Sequence, residues 1–236
     1  MAETSRQWLV RFIHVARSPN TLHGEARFEA ILRAAADRGR VLDLGCGEGE
    51  SSSKLHAMGA AHVLGIDVSE TEIEKARERE IGGELEFRAA DASQGLDGTF
   101  DLIYGRSILH HLDYRPLLRR LYAENLAPGG TMAFMEPLGT NLLTRAFHAA
   151  VRSAHTPDER PLRKDELRWF ADEFEGFELI PVNYVSYPAA LASSLVLRDP
   201  DNPVTRLADR VDRALEARLP RLHPHFRQGI LVVTKP

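Results

Sequence analysis

Three alternate glycines follow a strand-like apolar run early in the chain. The segment Val41-Leu-Asp-Leu-Gly45-Cys-Gly47-Glu-Gly49-Glu50 passes from that run into the glycines, and a helix is predicted to begin near Glu50. Glycines at this point permit a tight turn and let a ligand approach the backbone at the carboxyl edge of a sheet. The pattern therefore indicates a nucleotide site.

The glycine spacing departs from that of dinucleotide-binding sites. The dinucleotide fingerprint is G-x-G-x-x-G/A, whereas here the third glycine comes one residue early and Glu50 occupies the place of the last small residue. Glu48 and Glu50 would put negative charge at a helix N-terminus, where a dinucleotide enzyme binds its pyrophosphate. These residues favour a ligand without phosphates that carries positive charge.

Two carboxylates follow the next two predicted strands. Asp67 ends the run Val63-Leu-Gly-Ile-Asp67, where a carboxylate can accept two hydrogen bonds from a ribose diol. Asp91, between Ala90 and Ala92, follows the third run and can accept a hydrogen bond from an exocyclic amine such as that of adenine. Adenosine with a cationic, phosphate-free tail fits the glycines and both carboxylates.

The elements that position these residues alternate between strand and helix. This alternation predicts an α/β fold, a doubly wound Rossmann-like sheet that is mainly parallel, with helices on both faces and right-handed crossovers. Seven strands are expected, at residues 41–44, 63–66, 85–87, 100–104, 131–135, 177–184 and 229–234. Helices are expected at the N-terminus (5–17 and around 28–35), at 69–80 and 115–126, as an insertion after strand five (141–151), and at 164–174 and 204–219.

In this order and spacing, the motifs resemble those of the class I S-adenosylmethionine-dependent methyltransferases over about the first 140 residues. Asp43-Leu-Gly45-Cys-Gly47-Glu-Gly49 is similar to the family's glycine-rich motif, Gly65-Ile-Asp67-Val-Ser to its ribose-binding motif, and Ala90-Asp91-Ala to its adenine-contacting motif. Leu109-His110-His111-Leu112 resembles the segment after strand four, and Leu126-Ala-Pro-Gly-Gly-Thr the turn before strand five.

The resemblance implies S-adenosyl-L-methionine as the cofactor and transfer of its sulfonium methyl group to a nucleophile. It places Asp67 at the ribose, Asp91 at the adenine, Arg106 near the methionyl tail, and Asp43 and the Glu48 region near the ammonium group. The cofactor-binding set that it implies comprises Asp43, Gly45, Cys46, Gly47, Gly49, Asp67, Val68, Asp91, Ala92 and Arg106.

Three histidines are candidates for a catalytic base. His110 and His111 follow strand four, and His155 lies in the loop after strand five. Histidine is a frequent base when the acceptor is a hydroxyl. The His110-His111 pair can instead stabilise a loop or cap the next helix, and His155 can be an exposed loop residue. No metal is expected, because His223 and His225 flank a turn without further ligands.

Charge and composition restrict the partners. Thirty basic and thirty-four acidic residues leave a net charge of −4, which argues against nucleic acid as a partner. No secretory segment or run of about twenty apolar residues is present, so we expect a cytoplasmic protein without a membrane partner. Arginines and aspartates alternate in the last helix, which predicts a solvated, salt-bridged face. A homodimer is possible, and the sequence does not decide it.

The acceptor is expected to be a small molecule. Tyr104-Gly105-Arg106-Ser107 lacks the Asn/Asp-Pro-Pro-aromatic signature of relatives that methylate nucleobases or glutamine. The segment after strand five resembles that of enzymes acting on secondary metabolites, quinones or lipids, with O- or N-methylation expected. Two alternatives stay open: a non-methylating member of the fold, such as a cyclase or binding subunit, and an NAD(P)-dependent oxidoreductase.

We expect one domain over residues 1–236. Within it, residues 1–38 are predicted to form an N-terminal helical cap and residues 39–138 the cofactor-binding core. Residues 139–236 are predicted to supply the helices on the acceptor side and the last strands.

Overall fold

In the computed structural model, which describes residues 13–139 and 161–236, seven strands form one sheet. The strands are β1 (Arg40–Leu44), β2 (His62–Asp67), β3 (Leu85–Ala89), β4 (Phe100–Arg106), β5 (Leu126–Pro137), β6 (Phe177–Val182) and β7 (Gln228–Thr234). Their order is β3-β2-β1-β4-β5-β7-β6. The pairs β1–β2, β2–β3, β1–β4 and β4–β5 are parallel, so the predicted doubly wound, mainly parallel sheet is confirmed.

Residues 13–16 are helical, and seven further α-helices with both ends in the same described ranges accompany these strands. They are α1 (Pro19–Ala36), α2 (Glu50–Ala57), α3 (Glu70–Ala76), α4 (Tyr114–Arg120), α5 (Lys164–Glu173), α6 (Ser186–Ser193) and α7 (Pro203–Arg218). The predicted helix at residues 141–151, most of the one at 5–17, and His155 lie outside the described residues. No helix in the described part of the chain has the length and apolar content needed to cross a bilayer.

The reversal of strand order beside β1 determines where a ligand site can form. From β1 the chain builds β2 and β3 on one side, then returns to place β4 on the other side of β1. At such a reversal the loops leave the carboxyl ends of neighbouring strands in opposite directions and open a crevice between them. Gly45 and Ser107, the residues directly after β1 and β4, lie at this point.

The central strands are apolar runs because they are covered on both faces. In β1 four of the five residues are buried, including Val41 and Leu42, and in β4 five of the seven are buried. A strand buried on both faces reads as a continuous apolar run rather than as an alternating one.

The helix predicted at 115–126 is present, but it changes from an α-helix to a π-helical turn before its end. α4 stops at Arg120, a π-helical turn covers Leu121–Asn125, and β5 begins at Leu126. Asn125 donates to the carbonyl oxygens of Leu96 and Gly98 at 2.9 and 2.8 Å. Lys235 donates to the Leu126 carbonyl at 2.8 Å. Lys235 also donates to the Tyr122 carbonyl at 2.6 Å, so its ammonium group serves backbone acceptors at the end of the helical segment, while the Asn125 side chain fixes that end to the preceding loop.

The chain divides into two compact units. One contains residues 29–136, 169–178 and 230–236, and it holds the glycine turn and both predicted carboxylates. The other contains the described residues 13–28, 137–139, 161–168 and 179–229. The single-domain organisation expected above stays a prediction.

The last helix of the second unit buries its polar side. Its apolar residues Val204, Leu207 and Val211 are 47, 60 and 37% exposed, whereas Asp209 and Asp212 are 9 and 1% exposed. The helix was predicted, and the exposure of Arg206, Arg210 and Arg213 and the pairing of Arg213 with Asp209 at 2.9 Å agree with the predicted salt-bridged face. The prediction that Asp209 and Asp212 are solvated was wrong, because both are buried.

Asp212 provides the physical reason for this orientation. Its carboxylate accepts hydrogen bonds from the backbone N–H groups of Tyr184, Val185 and Ser186 at 2.8, 2.7 and 3.2 Å, and from the Ser186 hydroxyl at 2.5 Å. Burial raises the pKa of Asp212, and these hydrogen bonds oppose that shift. Hydrogen bonding of this kind compensates the cost of burying a carboxylate.

Candidate functional site

The turn after β1 depends on left-handed backbone at its three glycines. Gly45, Gly47 and Gly49 have φ of 74, 52 and 80°. The N–H groups of Gly45 and Cys46 both donate to the Ile66 carbonyl, at 2.9 and 3.0 Å, which ties the turn to the end of β2. A residue with a Cβ is strained at such φ values, so the three glycines are required by the backbone itself.

Close packing adds a second requirement at two of these glycines. A Cβ on Gly45 would lie 2.5 Å from Cδ1 of Ile108, and one on Gly49 would lie 2.6 Å from the Phe87 ring. A Cβ on Gly47 would meet no atom nearer than 4.0 Å, so Gly47 leaves open space beside the turn.

Asp67, at the end of β2, faces this turn. Its Oδ2 accepts from the Gly47 N–H at 3.0 Å, and its Oδ1 accepts from the Ser69 N–H at 2.9 Å. Each carboxylate oxygen has a further lone pair, so both can also accept a hydrogen bond from a ligand. Asp67 thus holds the glycine turn and presents acceptors beside it.

Asp91 begins a short turn after β3. Its carboxylate accepts from the N–H and the hydroxyl of Ser93, at 2.8 and 2.7 Å, and these hydrogen bonds lower its pKa. Arg120 of α4 donates to the carbonyl oxygens of Ala92 and Ser93. The turn is therefore anchored from two sides, a connection that sequence spacing did not indicate.

Asp43 lies beneath the glycine turn rather than in open space. It is 1% exposed and accepts from the Ser52 hydroxyl at 2.6 Å. Burial raises its pKa to about 7 against the usual 3.8. Burial likewise raises the pKa of the neighbouring Cys46 thiol, so this cysteine is held as an unreactive thiol.

A cavity of about 260 Å³ opens at the carboxyl ends of β1, β2 and β3. Six of the residues predicted for the site line it: Gly45, Asp67, Val68, Asp91, Ala92 and His111. Ala90, expected beside Asp91 as an apolar neighbour of the adenine, also lines it. Sequence reasoning did not assign the other lining residues, which are Leu44, Ile66, Ser93, Ile108, Leu112, Asp113 and Leu117. The last four come from the segment after β4 and from α4, and only the fold brings them to the carboxylates.

The remaining predicted residues lie around this cavity without lining it. Asp43, Cys46, Gly47 and Gly49 form or support the glycine turn, and Arg106 ends β4 with its Nε 3.4 Å from the Tyr104 hydroxyl. The roles assigned to these residues, and the role of His155 outside the described residues, stay predictions.

The two adjacent histidines have different surroundings. The His110 side chain is 3% exposed, and its Nδ1 lies 2.9 Å from Oε2 of Glu136, whose side chain is fully buried. The His111 ring is exposed and lines the cavity. Of the two, His111 is therefore the one placed to touch a ligand in this cavity.

Glu136, near the end of β5, organises the segment after β4. Its Oε1 accepts from the N–H groups of Ile108 and Leu109 at 2.8 and 2.9 Å, in addition to the contact with His110. Ser107, directly before these residues, has φ of 51°, which is uncommon for a residue other than glycine. The sequence analysis did not identify this role of Glu136. An acidic residue within an apolar strand was the signal that could have indicated a buried hydrogen-bond acceptor.

The acidic residues of the glycine turn are neutralised within the protein. Lys75 donates to the Glu48 carboxylate at 2.7 Å, and Arg79 donates to the Glu48 carbonyl at 2.9 Å. Hydrogen bonding to Lys75 lowers the pKa of Glu48. The expected orientation of a ligand ammonium group by Glu48 stays a prediction. Its carboxylate already pairs with Lys75, which reduces its attraction for a second cation.

The chemistry of the lining residues suits adenosine better than a diphosphate. Among the described residues that line the cavity there is no lysine or arginine, while Asp67 and Asp91 present acceptor oxygens. Carboxylates accept from hydroxyl and amino groups and repel phosphates. Leu44, Ile66 and Leu117 supply apolar contact for a base.

Comparison with known proteins agrees with this geometry. Residues 41–130 match the family model described as a methyltransferase domain. The chain is 41% identical over 100 residues to trans-aconitate 2-methyltransferase of Deinococcus radiodurans, covering 42% of this chain and 38% of the relative. It is 39% identical over 95 residues to phosphoethanolamine N-methyltransferase 1 of Triticum aestivum, covering 39% of this chain and 19% of the relative. The chain thus spans well under half the length of either relative.

A solved structure shows the same fold over most of the described chain. Phosphoethanolamine N-methyltransferase 2 of Haemonchus contortus, in complex with S-adenosyl-L-methionine, superimposes with a TM-score of 0.60. The match covers 89% of this chain and 52% of that protein at 20% sequence identity.

Proposed function

We propose that this chain, which carries a methyltransferase domain of the class I fold, transfers the methyl group of S-adenosyl-L-methionine to a small-molecule acceptor. The observation that carries the proposal is the cavity in which Gly45, Asp67 and Asp91 converge at the carboxyl edge of the sheet. The family-model match covers the elements that build this cavity, from β1 into β5.

The residues of the chain would bind and orient rather than react. Asp67 would accept hydrogen bonds from the ribose hydroxyls, and Asp91 would accept one from the adenine amine. The bound cofactor supplies an electrophilic methyl group. For such a transfer, orientation of the reactants and exclusion of water can provide much of the rate, without an obligatory acid or base from the protein.

The acceptor class is a small molecule, supported by the names of the two curated relatives, which specify phosphoethanolamine and trans-aconitate as substrates. O- or N-methylation of such a compound remains the proposal, without a more specific acceptor. The cytoplasmic location, the lack of a nucleic-acid partner and the homodimer likewise stay predictions.

The first test is cofactor binding. Calorimetry with S-adenosylhomocysteine should give a saturable heat with the unmodified chain, and NAD(P) should give none. Turnover is then measured with a panel of candidate acceptors, as the amount of S-adenosylhomocysteine formed from S-adenosyl-L-methionine. Binding without release for any acceptor would favour a cyclase or binding subunit, and binding of NAD(P) alone would favour an oxidoreductase.

Asp67→Ala should weaken the affinity for S-adenosylhomocysteine by roughly 1–3 kcal/mol, since it removes a charged acceptor from the cavity. Part of this loss would come from release of the Gly47 N–H, which Asp67 holds at 3.0 Å. Asp67→Asn serves as the matched variant because it keeps one acceptor oxygen, and it should lose less. An unchanged dissociation constant for Asp67→Ala would show that Asp67 makes no binding contact with the cofactor.

His111→Ala distinguishes a cofactor contact from a catalytic base. Because His111 lines the same cavity as Asp67 and Asp91, we expect the binding free energy for S-adenosylhomocysteine to weaken by roughly 0.5–1.5 kcal/mol, which raises the dissociation constant about 2- to 13-fold. A base would instead lower turnover and leave that constant unchanged. His110→Ala does not serve as a control, since it disturbs the buried contact with Glu136; His111→Gln, which keeps polar atoms, is the matched variant.

A further inference from the structure

The outward side of α7 combines exposed apolar residues with arginines. We define the α7 outer face as Val204, Leu207, Arg210, Val211 and Arg218, all of which are exposed. At 100° per residue, Val211, Arg210 and Arg218 all fall within about 60° of Leu207 around the helix axis. The five residues therefore form one continuous strip along four turns.

The acids of α7 do not reach this strip. Asp209 and Asp212 are buried, and Glu216 is paired with Arg27 at 2.7 Å. Arg213 and Arg206 flank the strip and are paired with Asp209 and Asp201. The α7 outer face is thus apolar and cationic, with no acidic residue of the helix on it.

A second apolar segment extends the patch at the start of the helix. Leu195, Val196 and Leu197, directly after α6, are 64, 85 and 37% exposed. Asn202, which caps α7, donates to the Ser193 hydroxyl at 3.3 Å, so the end of α6 lies beside the beginning of α7. Contiguous exposed apolar residues of this kind mark interaction sites more often than scattered ones do.

From this charge pattern we propose that the α7 outer face docks on an anionic lipid surface. Apolar side chains would enter the boundary between headgroups and acyl chains, while Arg210 and Arg218 would meet the lipid phosphates. Such a helix lies in the plane of the interface and requires no membrane span. The expectation of no membrane partner rested on the lack of a long apolar run and on a solvated last helix with alternating arginines and aspartates. Docking through one helix face needs no long apolar run, and the aspartates of α7 are buried.

The same charges argue against a second copy as the occupant. In a symmetric dimer the two copies present the same patch to each other, so one cationic strip would face another. No acidic residue of α7 lies on the strip to compensate that repulsion. An anionic lipid surface supplies the missing negative charge.

Vesicle sedimentation with the unmodified chain tests the proposal. We expect binding to vesicles of phosphatidylcholine with about one third phosphatidylglycerol, and binding at least about tenfold weaker to phosphatidylcholine alone. Added salt should weaken the binding to the mixed vesicles, because it screens the arginines. Equal binding to both kinds of vesicle, or to neither, would overturn the proposal.

Paired variants locate the surface. Leu207→Glu with Val211→Glu, and separately Arg210→Glu with Arg218→Glu, should each lower binding to the mixed vesicles at least about tenfold. Arg77→Glu with Arg88→Glu, at exposed positions in the other unit, changes the net charge as much as the arginine pair does and is its matched control. Ile81→Glu in that unit is the control for a glutamate in place of an exposed apolar residue, and both controls should bind like the unmodified chain. Circular dichroism checks that each variant is folded.

Analytical ultracentrifugation tests the alternative occupant of the α7 outer face, which is a second copy of this chain. A dimer that the Leu207→Glu with Val211→Glu variant dissociates, together with no sedimentation on mixed vesicles, would assign the face to a second copy and contradict the proposal. None of these measurements depends on methyl transfer, so they stand independently of the proposed function.

Discussion

Replacing Glu136 by leucine should lower the free energy of unfolding by roughly 3–5 kcal/mol, because each buried polar group left without its hydrogen bond costs about 1–3 kcal/mol. The change leaves the N–H groups of Ile108 and Leu109 and the Nδ1 of His110 without their common acceptor. Because Glu136 is fully buried, water cannot replace it without entering the core. Chemical denaturation measures the loss.

Glu136→Gln is the matched control for this prediction. It preserves the length of the side chain and one acceptor oxygen for the two backbone N–H groups, so we expect a loss nearer to about 1 kcal/mol. The leucine variant should also bind S-adenosylhomocysteine more weakly, because Ile108 and His111 line the cavity from the segment that Glu136 anchors. A leucine variant as stable as the unmodified chain would show that Glu136 does not organise this segment.

The second large effect concerns Asp43 and pH. The folded chain holds the Asp43 proton with a pKa of about 7, against the usual 3.8 for an exposed aspartate. Between these values the folded state binds more protons than the unfolded state. The free energy of unfolding contributed by Asp43 is therefore present at low pH and is lost as pH rises from about 4 to about 7.

Asp43→Asn removes the group that titrates while keeping its size. We expect the variant to be more stable than the unmodified chain by roughly 2–4 kcal/mol near pH 8, and the difference to shrink towards pH 4. Chemical denaturation of the variant and of the unmodified chain between pH 4 and pH 8 measures this difference and its pH dependence. Ser52→Ala, which removes the hydroxyl that donates to Asp43 at 2.6 Å, should move the window to higher pH. A constant difference between Asp43→Asn and the unmodified chain at every pH would refute the assignment.

The cofactor side of the site was largely predictable from sequence. Asp67 is the last residue of its strand, Gly45 and Asp91 come one and two residues after theirs, and parallel strands bring their carboxyl ends to one edge of a sheet. Short-range patterns were sufficient because the three positions are set by strand ends. The structure places all three around one cavity, while their individual contacts with a cofactor remain predictions.

The opposite wall of the cavity was not predictable in the same way. Ile108, Leu112, Asp113 and Leu117 reach the cavity only because β4 returns beside β1 and α4 packs near the end of β3. Glu136 controls part of this wall from a strand that lies almost thirty residues further along the chain. Contacts of such sequence separation leave no local spacing that a reader of the sequence can recognise.

Thus the sequence by itself determined the order of strands and helices and the ligand-facing strand ends, because these follow from local periodicity and from the backbone freedom of glycine. The tertiary structure alone decided which side of α7 is buried. Periodicity shows that a helix has an apolar and a polar side, but here Asp212 finds three backbone N–H groups and a hydroxyl inside the protein. Those hydrogen bonds turn the aspartates inward and leave Leu207 and Val211 exposed.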